Sequence, residues 1–336
     1  INITKDISHQ IENNFLIVYT GLQRYSKNIT NILSKKTISS KNDLHLEEMT
    51  KITLEAKKAV TRSLRIDKPF FLYMSHYAVH SPFQSDPRFI KNYEISKKPR
   101  PAKSFATLIE GIDKSLGDLM DHVTEKGVAE NTLILFVGDN GSDGPLGDTY
   151  GCFSSAPLRG KKGTCYEGGM RVPFIGSWVK AGKENPFKIA RNHLHHQQIG
   201  TVMDIYSTIL EVGGAKNPEG HVVDGFSLRK QLSGQLNPQR PDHFMCHFPH
   251  SHRSSYFTSY RKGDWKLIYR YLTTGGKRKS KDPLPKYELY DLGTDPYETN
   301  NLALRNRSKV NEMVQLMKRR LETENALLPG KVISLK

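Results

Sequence analysis

Five residues have types and spacings from which chemistry can be built: Asp139, Asn140, Lys162, His80 and His247. Asp139 and Asn140 follow a short apolar run and precede Gly141, which sets a carboxylate beside an amide oxygen. Hard cations such as calcium or magnesium take oxygen ligands of this kind. The same Asp-Asn-Gly sequence also serves as a turn that hydrogen-bonds its own backbone. Lys162 lies among Gly160, Gly163, Gly168 and Gly169 in the segment LRGKKGTCYEGGMRVP, which runs from Leu158 to Pro173. Glycines let a backbone approach a ligand closely, and an ammonium group there neutralises an anionic oxygen. Lysine beside glycine is equally common in surface turns, and no Walker-type phosphate loop is present.

His80 precedes Ser81-Pro82, and the proline favours an extended loop. An imidazole in that place suits donation to an anionic oxygen or protonation of a leaving alkoxide. A histidine that merely caps a strand end fits the same pattern. His76 is the weaker candidate of the pair. His247 opens a cluster with His250 and His252 around Pro249. Their spacing on a proline-containing loop matches no zinc ligand set. That loop is expected to form a substrate-contacting rim or a plain surface.

These residues need elements to position them. Leu46 to Arg65 and Lys103 to Lys126 repeat apolar residues at helical spacing, and Gly127 ends the second. Gln198 to Val212 reads as a third helix, closed by Gly213-Gly214. Phe70 to Met74, Thr132 to Val137 and Val172 to Val179 read as buried strands. Strands alternating with long helices predict a parallel, doubly wound α/β sheet, whose ligands bind beyond the carboxyl ends of the strands. The His76–His80 loop and the Asp139-Asn140 turn both follow such ends and are expected on one sheet edge. Residues 1–45 read as loop with short pieces of strand or helix. After about residue 240 the pattern becomes short, aromatic and alternating, with a hairpin turn at Arg261-Lys262-Gly263-Asp264 and a closing helix from Val310 to Glu324. The expected division is a domain over 1–240 and an α+β subdomain over 241–336.

A composition of 37% apolar residues in periodic runs indicates a globular core rather than disorder. No apolar stretch approaches the length of a membrane span. The net charge of +16 fits either a solvated lysine-rich surface or attraction to a polyanion. No zinc-finger, aromatic RNA-binding or basic-zipper pattern points to nucleic acid. A sulfated polysaccharide fits the charge equally well. Cys152, Cys165 and Cys246 form no metal-binding or disulfide framework, although a single Cys152–Cys165 bridge stays open.

Several segments, taken in order, resemble the type I sulfatase family of arylsulfatase kind, within the alkaline-phosphatase-like fold. They are KPFFLYMSHYAVHSPF, the helix around Ile112-Asp113-Lys114-Ser115-Leu116-Gly117, NTLILFVGDNG, APLRGKKGTCYEGGMRVPFIGSW, VMDIYSTILEVGG followed by VDGFSL, and KGDWKLIYRY with YELYDLGTDPYETNNL. The resemblance implies hydrolysis of sulfate esters, with a sulfated glycan favoured by the charge, and one calcium ion as cofactor. It implies that Asp139 and Asn140 are two of the calcium ligands and that Lys162 contacts the sulfate and the nucleophile. It places His80 near the leaving-group oxygen and His247, less securely, in the substrate pocket. A secreted, periplasmic or lysosomal location follows, with no nucleic-acid partner and no membrane span.

The family's formylglycine nucleophile arises from a C/S-x-P/A-x-R segment, and an Asp-Asp pair on the first strand completes its calcium shell. Neither is found here. Ser155-Ala156-Pro157-Leu158-Arg159 fits the pattern literally but is followed by Gly-Lys-Lys-Gly rather than an apolar helix start. The expectation is therefore the C-terminal part of a sulfatase, without its opening strands and inactive alone. A non-catalytic glycan-binding relative and a phosphatase or phosphonate hydrolase of the same fold are the alternatives.

Overall fold

A computed structural model describes residues 16–19, 44–81, 83–144, 155–183, 185–190, 198–250, 256–272 and 284–329. The chain divides into two compact units, one of residues 1–134 with 177–185 and one of residues 135–176 with 186–336.

In the first unit, β1 (Leu16–Tyr19) pairs in parallel with β2 (Phe70–Tyr73), Leu16 opposite Phe70 and Tyr19 opposite Tyr73. Two long helices accompany them, α1 (Leu44–Arg65) and α2 (Arg100–Glu125). Ala56 and Val60 of α1 lie four residues apart, as do Leu119 and Val123 of α2, so each pair falls on one helical face. These four side chains form a buried core, joined by Leu64, Phe70 and Leu72. Helix α2 starts after Pro99 with Pro101 in its first turn, where a missing N–H costs little. It stops at Gly127, whose φ of +74° suits a glycine. Strand, crossover and parallel strand match the expected α/β class.

Strands β3 (Leu133–Val137) and β4 (Phe174–Trp178) pair with each other, and the division between units falls within both. The second unit adds the short helices α3 (Glu167–Met170), α4 (Asp204–Val212) and α5 (Arg229–Leu232) and one longer helix described below. It also holds a four-stranded antiparallel sheet in the order β5 (His243–Phe248), β6 (Phe257–Lys262), β7 (Trp265–Arg270) and β8 (Tyr287–Asp291). Gly263, with φ +55°, makes the tight β6–β7 turn. Side chains alternate between the two sheet faces. Leu267, Tyr269 and Leu289 pack against Val310, Met313, Met317 and Leu321 of α6 (Arg307–Thr323). Ile268 and Tyr290 join the opposite face, with Phe257, Leu292 and Cys165.

Two expectations are corrected. The third predicted helix begins at Asp204, not Gln198. The buried Asp204 carboxylate accepts the N–H groups of Thr201 and Phe226 and the guanidinium of Arg240, which turns the chain just before the helix. Gln198 instead exchanges two hydrogen bonds with Asn237, at 2.9 and 2.8 Å. His247 lies on a strand rather than a loop, opposite Thr258. The period-two set of Cys246 and Phe248 carries β5 into the core. Residues 251–255, including His252, lie outside the described residues, as do Pro82 and Cys152.

Candidate functional site

Strand β3 delivers Asp139 and Asn140 at its carboxyl end, the first exposed and the second half-buried. Three backbone hydrogen bonds then hold the 138–142 stretch against the glycine-rich segment. The N–H of Gly138 donates to the Pro173 carbonyl (3.0 Å), that of Gly141 to Gly169 (3.0 Å) and that of Lys162 to Ser142 (3.1 Å). The approach is too close for side chains. A Cβ on Gly141 would lie 2.1 Å from the Gly168 carbonyl oxygen, and one on Gly169 would lie 2.4 Å from that of Thr164. Gly160 and Gly163, both at φ +83°, supply the left-handed turns around Lys162. The two segments singled out from the sequence are thus directly bonded to each other.

Lys162 is half-buried, and its ammonium group makes no hydrogen bond or ion pair among the described residues. Its neighbour Lys161 is exposed and sits 3.9 Å from the Asp143 carboxylate. An ammonium without an ion pair, on a loop bonded to the neighbouring turn, is suited to binding an anionic oxygen. Asp139 and Asn140 add two hard oxygen donors on the adjoining turn. They fit calcium as part of a shell of about six to eight oxygens. Among the described residues no group of three or more His, Cys, Asp or Glu gathers around them.

What fixes the Lys162 loop is a buried polar network that the sequence did not disclose. The N–H of Glu167 donates to Glu298 Oε2 (2.6 Å). Lys266 Nζ, on β7, lies 2.8 Å from both Glu167 Oε1 and Glu298 Oε1, and all three side chains are buried. Burial pushes the Glu167 carboxyl up, but Lys266, helped by Arg171 and Arg261, outweighs it and holds it below the usual range. Burial prevails at Glu298, whose pKa is raised although Lys266 and the Glu167 amide oppose the shift. Beside this triad, Arg159 lies 3.9 Å over the Tyr166 ring and donates to the Tyr290 hydroxyl (2.7 Å) and the Glu298 carbonyl (2.9 Å). Tyr166 donates to Glu288, which pairs with Arg270. The available signal was Lys266 and Arg270 sharing the face of Ile268 in an otherwise apolar strand. It is indistinct until the partners are known.

Cys165 belongs to the same cluster as a buried free thiol, pushed up to about 11 by burial. Cys246 is also free. Ser155, the literal match to the nucleophile pattern, opens a turn in which its carbonyl accepts the Leu158 N–H at 3.0 Å, not a helix.

The histidines differ in what their rings are free to do. His80, in the first unit, is exposed, and its Nδ1–H donates to the Ser81 carbonyl at 2.7 Å. The neutral ring therefore keeps its lone pair on Nε2, which has no partner among the described residues. His76 is turned inward instead. Its Nε2 meets Ser115 Oγ at 2.9 Å, and Ser115 meets Thr53 at 2.7 Å. In the second unit, His247 has both nitrogens engaged, with Thr258 Oγ1 at 2.8 Å and the Leu327 carbonyl at 2.7 Å. Because a carbonyl only accepts, Nε2 carries the proton.

The parallel β1–β2 pair and its crossover helix are those of an α/β protein, and the likeness to solved structures given below makes the fold alkaline-phosphatase-like. The chain belongs to the sulfatase family. Residues 7–215 match the sulfatase model, and residues 161–326 match that of N-sulphoglucosamine sulphohydrolase, C-terminal. A sulfatase of Formosa agariphila is 31% identical over 73% of this chain and 44% of its own length. Human arylsulfatase A is 30% identical over 71% of this chain and 45% of its own. The N-acetylgalactosamine-6-sulfatase of Canis lupus familiaris is 29% identical over 56% and 33%. The chain therefore spans less than half the length of these relatives. Among solved structures, Ps i-CgsB is similar in fold, with 22% identity, a TM-score of 0.64 and coverage of 81% of this chain and 54% of that one. A protein solved with its substrate D-glucosamine-2-N,6-O-disulfate has 16% identity, a TM-score of 0.56 and coverage of 80% and 69%.

Proposed function

We propose that this chain contributes the anion-binding lysine, two calcium ligands and the leaving-group histidine of a sulfate-ester hydrolase acting on a sulfated glycan outside the cytosol. The observation that supports this best is the hydrogen bond from Lys162 to Ser142. It ties a half-buried, unpaired ammonium to the turn carrying Asp139 and Asn140. Membership of the sulfatase family supplies the reaction class. The N-acetylgalactosamine-6-sulfatases among its relatives, and the sulfated amino sugar bound by one structural neighbour, favour a glycan substrate.

In this proposal the Lys162 ammonium binds a sulfate oxygen and stabilises the negative charge that grows there as the S–O ester bond breaks. The carboxylate of Asp139 and the amide oxygen of Asn140 would hold calcium, which supplies further positive charge to the sulfate oxygens. His80 enters through the family motif and its open Nε2, from which a protonated ring delivers a proton to the departing alkoxide. A formylglycine would supply a hydrated-aldehyde oxygen as nucleophile, and its segment is not among the 336 residues. His247 acts in this picture as a scaffold residue on β5, since its ring nitrogens are taken.

The test is hydrolysis of a chromogenic aryl sulfate by the full product of the gene. Lys162→Ala, Asp139→Ala and His80→Ala are each expected to cost at least about a hundredfold in kcat/KM. The 336 residues alone are expected to give no turnover, with or without Ser155→Ala. Undiminished hydrolysis by the Lys162 variant would overturn the proposal.

A further inference from the structure

Five basic residues crowd the entry to α2. Lys91 lies in the single helical turn Ile90–Tyr93, and Lys97, Lys98, Arg100 and Lys103 follow, with Glu94 the one acidic residue from Lys91 to Lys103. Lys91, Lys97, Lys98 and Arg100 are exposed. Lys103 Nζ reaches the Glu94 carbonyl at 3.5 Å, and Asn92 Nδ2 donates to Glu110 at 2.7 Å, so the Ile90–Tyr93 turn is folded back beside α2. The five charges therefore share one surface of the first unit.

Several exposed basic residues elsewhere are balanced by a neighbouring acid, and this surface is set apart by its density of cations with one acid among them. Lys58 pairs with Glu55, Lys114 with Asp118, Lys180 with Glu130, Arg229 with Glu211 and Arg320 with Glu324. The side chains of Lys91, Lys97 and Arg100 have no ion pair among the described residues. Pro99 and Pro101 stiffen the backbone between them, which lowers the entropy lost when a ligand is bound. The positive end of the 26-residue helix adds to the same field.

We infer that this surface is a docking site for a linear sulfated polysaccharide, engaging sulfate groups other than the one hydrolysed. The choice of a sulfated glycan over other polyanions rests on the proposed function. The clustering of exposed cations on this surface does not. Binding of dextran sulfate to the 336-residue chain, measured against salt concentration, tests it. The double variant Lys97→Gln/Arg100→Gln should weaken binding on the order of tenfold and flatten the salt dependence. A control, Lys216→Gln/Lys230→Gln, removes two exposed charges elsewhere and should change binding less than twofold, on the order of experimental scatter. Uncharged dextran should not bind. An equal loss in the control would overturn the docking surface, and duplex DNA binding as tightly with the same loss would overturn the sulfated partner. Binding is read without turnover, so failure of the hydrolase proposal and failure of this one give different results.

Discussion

The amide of Lys162 donates to the carbonyl of Ser142 across 3.1 Å, so a lysine loop and a carboxylate turn well apart in sequence are locked backbone to backbone. A bond between main-chain atoms leaves both side-chain sets free to face a ligand. The contact depends on glycine at several points, and so the first prediction concerns their removal.

Gly141→Ala sets a methyl group 2.1 Å from the Gly168 carbonyl oxygen, a backbone atom that cannot move aside alone. The cost should be about 3 kcal/mol in urea unfolding. Gly117→Ala is the matched control: it lies within α2 with nothing within 4 Å of the new methyl. It should stabilise by about 0.5–1 kcal/mol through helix propensity. Equal effects from the two substitutions would show that the loop is not packed as described.

Lys266→Met leaves Glu167 and Glu298 buried without their shared cation and should cost about 3–5 kcal/mol. The pH dependence separates the two acids. Glu167 has a folded pKa below its ordinary 4.5, so its contribution is present above pH 4.5 and lost as pH falls through the folded value. Glu298 is raised, so its contribution is present below 4.5 and lost as pH rises through its folded value. Glu167→Gln should therefore flatten the decline below pH 4.5, and Glu298→Gln should remove the loss that sets in as pH rises above it. Melting temperatures from about pH 7 to pH 3 decide the matter.

His76 is held neutral by burial, with its pKa below the ordinary 6.5. The unfolded chain then binds the extra proton first, so stability is full above 6.5 and is lost as pH falls through the folded value. His76→Gln keeps a hydrogen-bonding group near Ser115 and should remove that slope. Thermal melts from about pH 7 to pH 5 would show the wild type declining and the variant level.

His247 fastens the segment after α6 to the sheet through the Leu327 carbonyl. His247→Phe leaves that carbonyl and Thr258 without the ring nitrogens and should cost about 1–3 kcal/mol. Limited proteolysis should then cut near Leu327 sooner than in the wild type. Unchanged cleavage would mean that the ring does not anchor this segment.

Much of the fold was legible in the chain itself. The four-residue recurrence of Ala56 and Val60, and of Leu119 and Val123, marked two helices and an apolar face on each, and the structure packs those faces together. Alternation in Trp265 to Arg270 gave a strand, and Gly263 its turn. The glycines around Lys162 and the Asp139-Asn140 pair were visible because backbone approach and oxygen ligation demand those residue types. What the sequence left open depends on partners far away along the chain. Whether His76 or His247 keeps a ring nitrogen for chemistry was decided by Ser115 and Leu327. The roles of Lys266, Glu167 and Glu298 appeared only when folding buried three charges together. Local spacing encodes periodicity and turn chemistry, whereas desolvation and pairing are properties of the packed molecule, and they decide which of these polar groups stays available to a ligand.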